Sequence, residues 1–130
     1  MTSNTLVAAY SFPPYNDTSA VVAGKRVREM GVEVDVIANA MDSIRKQDPS
    51  LTRISGELVN RYAALTTPTA FSSWGSMVAF AERGYHTMLD WEAEQGPYER
   101  IYSRAHFVAS HFLAARVKIA RPGIHWTAEF

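Results

Sequence analysis

The chain has 130 residues, 47% of them hydrophobic, with no cysteine and with 13 basic residues balanced by 13 acidic ones. That length and apolar content fit one domain able to bury its own core, and the missing cysteines exclude a disulfide scaffold and thiolate metal sites. The neutral balance removes the electrostatic footprint of a nucleic-acid binder, and no apolar run nears the roughly 20 residues that span a bilayer. The start "MTSNTLVAAY" lacks the basic opening and long apolar centre of a signal peptide, so the expected location is the cytoplasm.

Residues 6–10 form a short, almost wholly apolar run, which suits a strand buried on both faces of a parallel sheet. Pro13 and Pro14 cannot donate to a sheet ladder, so that strand ends near Phe12. Asp17, Thr18 or Ser19 then caps a helix over residues 19–30, in which Ala20, Ala23, Gly24, Val27 and Met30 recur at three- and four-residue steps. Gly31 stops the helix and "VEVDVI" reads as a second strand, so residues 6–37 make one strand, helix, strand crossover. A helical turn is expected over 41–46, a loop at "QDPS" (47–50) and a third strand over 57–65.

Beyond Pro68, residues Phe71, Trp74, Val78, Ala81, Tyr85 and Met88 mark one side of a long helix reaching Trp91 or beyond, with "EQGP" as its end. Gly75 and Gly84 inside it predict a bend or a close packing contact. A fourth strand over 98–103, a helix over 106–120 with Phe107, Ser110, Ala114 and Val117 on one side, and a fifth strand over 125–130 complete a doubly wound α/β pattern. A strand finishing at Phe130 leaves one sheet face partly uncovered, as expected for a piece of a longer chain.

In such sheets ligands bind beyond the carboxyl ends of the strands, and the first strand-to-helix loop lies there. Asn16, Asp17, Thr18 and Ser19 are therefore candidates for binding an acceptor or a phosphate, helped by the free N–H groups of the helix start. The same residues are also ordinary turn and cap residues, and spacing alone does not choose. Between Tyr10 and Gly31 the only glycine is Gly24, so the G-x-G-x-x-G turn of dinucleotide binders is absent, as is the phosphate-binding G-x-x-x-x-G-K-[S/T].

Two stretches carry a resemblance. "YSFPPYNDTSAVVAGKRVREMGVEVDVIA" resembles the opening of family 4 type glycosyltransferases, with its strand, "FPP" turn, loop of small residues, helix and Gly-x-x-Val-x-Val. "YERIYSRAHFVASHFLAARV" with "IHWTAEF" is similar to a later stretch of polysaccharide-building members. The resemblance implies a GT-B architecture of two Rossmann-like domains, of which residues 1–130 would be the N-terminal, acceptor-side one. The chain would then be a Rossmann-like three-layer sandwich with a mainly parallel sheet, without the donor-binding C-terminal domain. It further implies a hexosyltransferase-like parent enzyme that retains anomeric configuration and uses no obligatory metal or other cofactor. The implied partners are a nucleotide-sugar donor, held through the other domain, and a saccharide or lipid-linked acceptor, with peripheral contact at the inner membrane face as a further implication. By itself residues 1–130 would be inactive. Family members often carry a Gly-Gly pair where this chain has "NDTSA", which departs from close backbone approach to a diphosphate at that loop.

Ser103, Arg104 and His106 follow the fourth strand, and by the resemblance Ser103 and Arg104 fall where polar residues face the cleft. Arg104 can clamp a phosphate or carboxylate bidentately, or form a surface ion pair; His106 could equally be only a helix start. Glu129, near the end of the last strand, is the one weak catalytic candidate. His106 and His111 are not spaced as a helical metal pair, so no metal site is expected, and His125 reads as structural. The aromatic stripe Phe71, Trp74, Tyr85 and Trp91 suits core better than an acceptor groove or membrane contact, and Lys25, Arg26 and Arg28 suit a solvated face better than lipid contact. The rival reading is a free-standing α/β ligand-binding or protein-interaction domain without chemistry of its own.

Overall fold

The computed structural model describes residues 3–68, 73–104 and 107–130. Five parallel strands, β1 (Thr5–Ala9), β2 (Val34–Asn39), β3 (Val59–Leu65), β4 (Arg100–Arg104) and β5 (His125–Glu129), form one sheet in the order β3-β2-β1-β4-β5. The helices are α1 (Thr18–Met30), α2 (Trp74–Gln95) and α3 (Ala109–Ala120). The result is a Rossmann-like three-layer α/β fold.

The chain builds outward from β1 through β2 to β3, crosses back through α2, and builds outward the other way through β4 to β5. Crossovers of one hand then put helices on opposite faces. Val7, Ala9, Val34 and Val36 pack with Ala23 and Val27 of α1, whereas Leu6, Ala8, Ile37 and Ile101 pack with Phe80 and Met88 of α2 and Leu113 and Val117 of α3. β1 is buried at all five positions, as its continuous apolar run requires.

Local chemistry sets the boundaries. Asp17 caps α1 by accepting the Ala20 N–H at 2.8 Å, and Gly31, at φ 66°, closes it with an N–H to the Val27 carbonyl. The second strand starts at Val34, because Val32 belongs to the turn that the glycine opens and is exposed. The expected loop at 47–50 is in part a 3-10 turn, Pro49–Arg53, whose start is fixed by Asp48 accepting the Ser50 N–H. β3 is an edge strand that alternates half-buried and exposed residues, and it begins at Val59 after a second short turn, Gly56–Leu58.

The long helix differs from its expected stripe. Its buried residues are Phe80, Ala81, Gly84 and Met88, while Trp74 is 69% and Val78 38% exposed. Trp74 meets Phe112 edge-on, with ring centroids 5.3 Å apart. Phe71 lies outside the described residues. Gly84 is the close contact: a β-carbon there would stand 2.7 Å from Leu113 Cδ2, so α2 crosses α3 closely at this point. Gly75 has no such neighbour. α3 starts at Ala109 with no side-chain cap from Val108, and the expected start at His106 lies outside the described residues.

Over β4 and β5 the α1 face carries a groove of about 1010 Å³, lined by Arg26, Glu29, Arg100, Tyr102, His125 and Thr127. No described helix is long and apolar enough to cross a membrane.

Candidate functional site

β1 lies between β2 and β4, so strand order reverses beside it and the loops leaving β1 and β4 flank the crevice that this topology creates. The groove on the α1 face opens near the amino ends of the strands, where Thr5, Arg100 and His125 begin them, and is separate from this crevice.

The β1 loop is pinned on several sides. The Ser11 hydroxyl donates to Asp17 at 2.6 Å, the same carboxylate caps α1, and Arg45 Nε lies 3.5 Å from it. The Pro13–Pro14 bond is cis. Pro13 packs on Gly24 so tightly that a β-carbon there would sit 3.0 Å from Pro13 Cγ, which is why α1 carries a glycine on its buried face. Buried Tyr15 accepts the Met41 N–H at 2.8 Å, and the Asn16 and Asp48 N–H groups donate to the Lys46 and Pro14 carbonyls. Asn16 and Thr18 are exposed, Asp17 is half-buried, and Ser19 is buried. The positive end of α1 thus already faces the protein's own carboxylate.

The two loops are joined through α3. The Tyr10 N–H donates to the buried Ser110 hydroxyl at 2.8 Å, tying the end of β1 to the first turn of α3. On the other side, the Asn39 carboxamide donates to the Thr67 carbonyl and accepts the Thr67 N–H and hydroxyl, which closes the ends of β2 and β3.

At the end of β4, alternation sends neighbouring side chains to opposite faces. Ser103 is fully buried under α3; its hydroxyl accepts Trp126 Nε1–H at 2.8 Å and lies 2.7 Å from His111 Nδ1. His111 packs against Phe130, with ring centroids 4.6 Å apart, and its Nε2 is buried without a hydrogen-bond partner among the described residues. Burial holds this imidazole below its ordinary pKa. Arg104, on the α1 face, pairs with Glu129, which also receives Arg26 Nε at 2.8 Å. Burial pushes the Glu129 carboxyl up, but the hydrogen bond from Arg26, the nearby Tyr102 hydroxyl and the two guanidinium charges outweigh it and leave the group below its usual range. Tyr102 beneath them is pushed up to about 12 by burial and by the Glu129 charge. His106 lies outside the described residues.

The structure therefore brings the β1 loop, Ser103 and Arg104 to adjacent strand ends, with Ser103 and Arg104 on opposite faces. Sequence reasoning weighed His111 only as a metal ligand and gave no role to Ser110, Arg45 or the Trp126 N–H. No spacing rule pairs a strand residue with one eight positions on in the next helix. Among the described residues, no group of three or more His, Cys, Asp or Glu is placed to hold a metal ion.

No family model matches the chain, and no curated protein matches it. A solved structure, the C-terminal domain of a hydrogenase from Pyrococcus furiosus, superposes with a TM-score of 0.56 at 11% identity, covering 97% of this chain and 89% of that one. At that identity the likeness shows the fold alone.

Proposed function

We propose that residues 1–130 are the acceptor-side Rossmann-like domain of a family 4 type glycosyltransferase, whose parent enzyme moves a sugar from a nucleotide donor to a saccharide or lipid-linked acceptor. The observation that carries this reading is topological. The two stretches that resemble the family are far apart in sequence, yet their turns leave the adjacent strands β1 and β4 at the point where strand order reverses. Catalysis in such an enzyme rests on holding donor phosphates and the acceptor hydroxyl in one closed cleft and stabilising the leaving diphosphate. Exposed Asn16 and Thr18 are the loop side chains available for an acceptor. Exposed apolar side chains at two helix starts support a lipid-linked one: Trp74, edge-on to Phe112, opens α2, and Val108 precedes α3. Arg26, engaged by Glu29 and Glu129, is not a free cation for lipid headgroups.

The test is the reading frame beyond the codon for Phe130. The glycosyltransferase reading expects a second Rossmann-like domain of roughly 150 to 200 residues with a pair of glutamates for the donor, and sugar transfer only when both domains are present. A stop codon there, or turnover by residues 1–130 alone, would overturn it. The second reading, a free-standing ligand-binding domain, is favoured by one observation: Glu129, the catalytic candidate, is tied up between Arg26 and Arg104.

A further inference from the structure

Buried polar atoms in folded proteins are almost always paired, so an exception calls for a reason. His111 is 8% exposed, its Nδ1 is satisfied by Ser103, and its Nε2 is buried and has no partner among the described residues. The neighbours fix which nitrogen carries the hydrogen. Trp126 can only donate, so the Ser103 oxygen accepts from it; the fully buried hydroxyl has His111 Nδ1 as its acceptor among the described residues, so its hydrogen is satisfied when directed there, whereas an Nδ1–H would leave that hydrogen stranded. The neutral imidazole then carries its proton on Nε2, which makes the orphan atom a donor. The chain Trp126 to Ser103 to His111 is a directed relay that ends in one unused N–H at the carboxyl ends of β4 and β5.

We propose that His111 Nε2–H binds an oxyanion, a phosphate or carboxylate oxygen, at the carboxyl ends of β4 and β5, with Ser103 as the positioning residue that fixes the donating tautomer. An acceptor group is required because the relay offers a hydrogen, and an anionic oxygen is favoured because His111 sits in the first turn of α3, at the positive end of a 12-residue helix. That helix start has no side-chain cap of its own. Phe130, whose ring lies against the imidazole, is 90% exposed, so moving it aside to admit a ligand sacrifices little burial. Burial also keeps His111 neutral near neutral pH, as a tautomer-specific donor must be. The inference does not depend on the transferase reading, since it concerns a donor and an anion and not a sugar.

The test is nitrogen-15 NMR of the histidine side chains, with His111 assigned by its loss in His111→Gln. In the free protein His111 is expected as the Nε2–H tautomer; an Nδ1–H tautomer overturns the proposal. Titration with inorganic phosphate and, separately, acetate is expected to give a saturable shift of the His111 imidazole with at least one of them, which also separates a phosphate from a carboxylate site. Phe130→Ala should strengthen the response. Ser103→Ala should scramble the tautomer and weaken binding about tenfold or more, the loss of one aligned charge-assisted hydrogen bond. No shift with either anion, in both the natural protein and the Phe130→Ala variant, overturns it, and a folded His111→Gln that binds the responding anion undiminished does so too.

Discussion

Two buried polar clusters sit under the same face of the sheet at its opposite ends, and they are built differently. At the amino end, fully buried Asp35 accepts the Arg61 N–H and pairs with the Arg61 guanidinium, the Tyr98 hydroxyl donates to it, and Gln95 binds both Arg61 and the Ser3 backbone. Each of these groups is engaged, and burial together with the Asp35 hydrogen bond and charge pushes the Tyr98 hydroxyl far up. At the carboxyl end, Trp126, Ser103 and His111 form a chain whose last nitrogen, His111 Nε2, has no partner among the described residues. A closed network fixes strand positions, whereas an open one stores an unsatisfied group where a ligand can reach the sheet.

Substitutions separate the two. Asp35→Ala should cost most, about 3 to 5 kcal/mol, because it leaves the Arg61 charge and the Tyr98 hydroxyl without their buried partner; a urea melt that moved by less than about 1 kcal/mol would contradict the closed network. Ser103→Ala should cost about 1 to 3 kcal/mol by stranding the Trp126 N–H and His111 together. Asp17→Ala removes the α1 cap together with the acceptor of the buried Ser11 hydroxyl and should cost about 1 to 2 kcal/mol, read as a Tm lowered by several degrees.

The smallest effect is the most telling. His111→Leu removes the unpaired Nε2–H, which favours the variant, but strands the buried Ser103 hydroxyl; the two effects oppose each other, so the fold should change by less than about 1 kcal/mol. The sign with pH follows from burial: His111 binds its proton less well folded than unfolded, so the unfolded chain holds more protons as pH falls, and stability drops below pH about 6.5. His111→Leu should flatten that part of the profile, while Glu129→Gln should act only in the carboxylate range, where protonation removes an ion pair that is present at higher pH.

How much of this could be read from the residues varies by element. The β1, α1, β2 unit was legible because each signal was local: a continuous apolar run, two prolines, a capping aspartate and a C-terminal glycine. α2 was legible as a helix and in the buried side of its later turns, where Ala81 and Met88 of the expected stripe are buried, but not in its first turns, where Trp74 and Val78 keep the helical period and are exposed. Of the candidate site, Arg104 and Glu129 were seen singly, yet their pairing depends on β4 and β5 lying in register, Arg104 opposite Glu129. The role of Asp17 as a cap was expected, but the approach of Arg45 from the next loop was not.

The sequence by itself determined the alternation of strands and helices and, to within a few residues, where they begin, because caps, periodicity and turn chemistry act over a few residues. Only the tertiary structure decided strand order, which face each side chain takes, and that Ser103, His111 and Trp126 meet. Those outcomes depend on burying one sheet face against two helices at once, a condition spread over the whole chain that no short stretch of it contains.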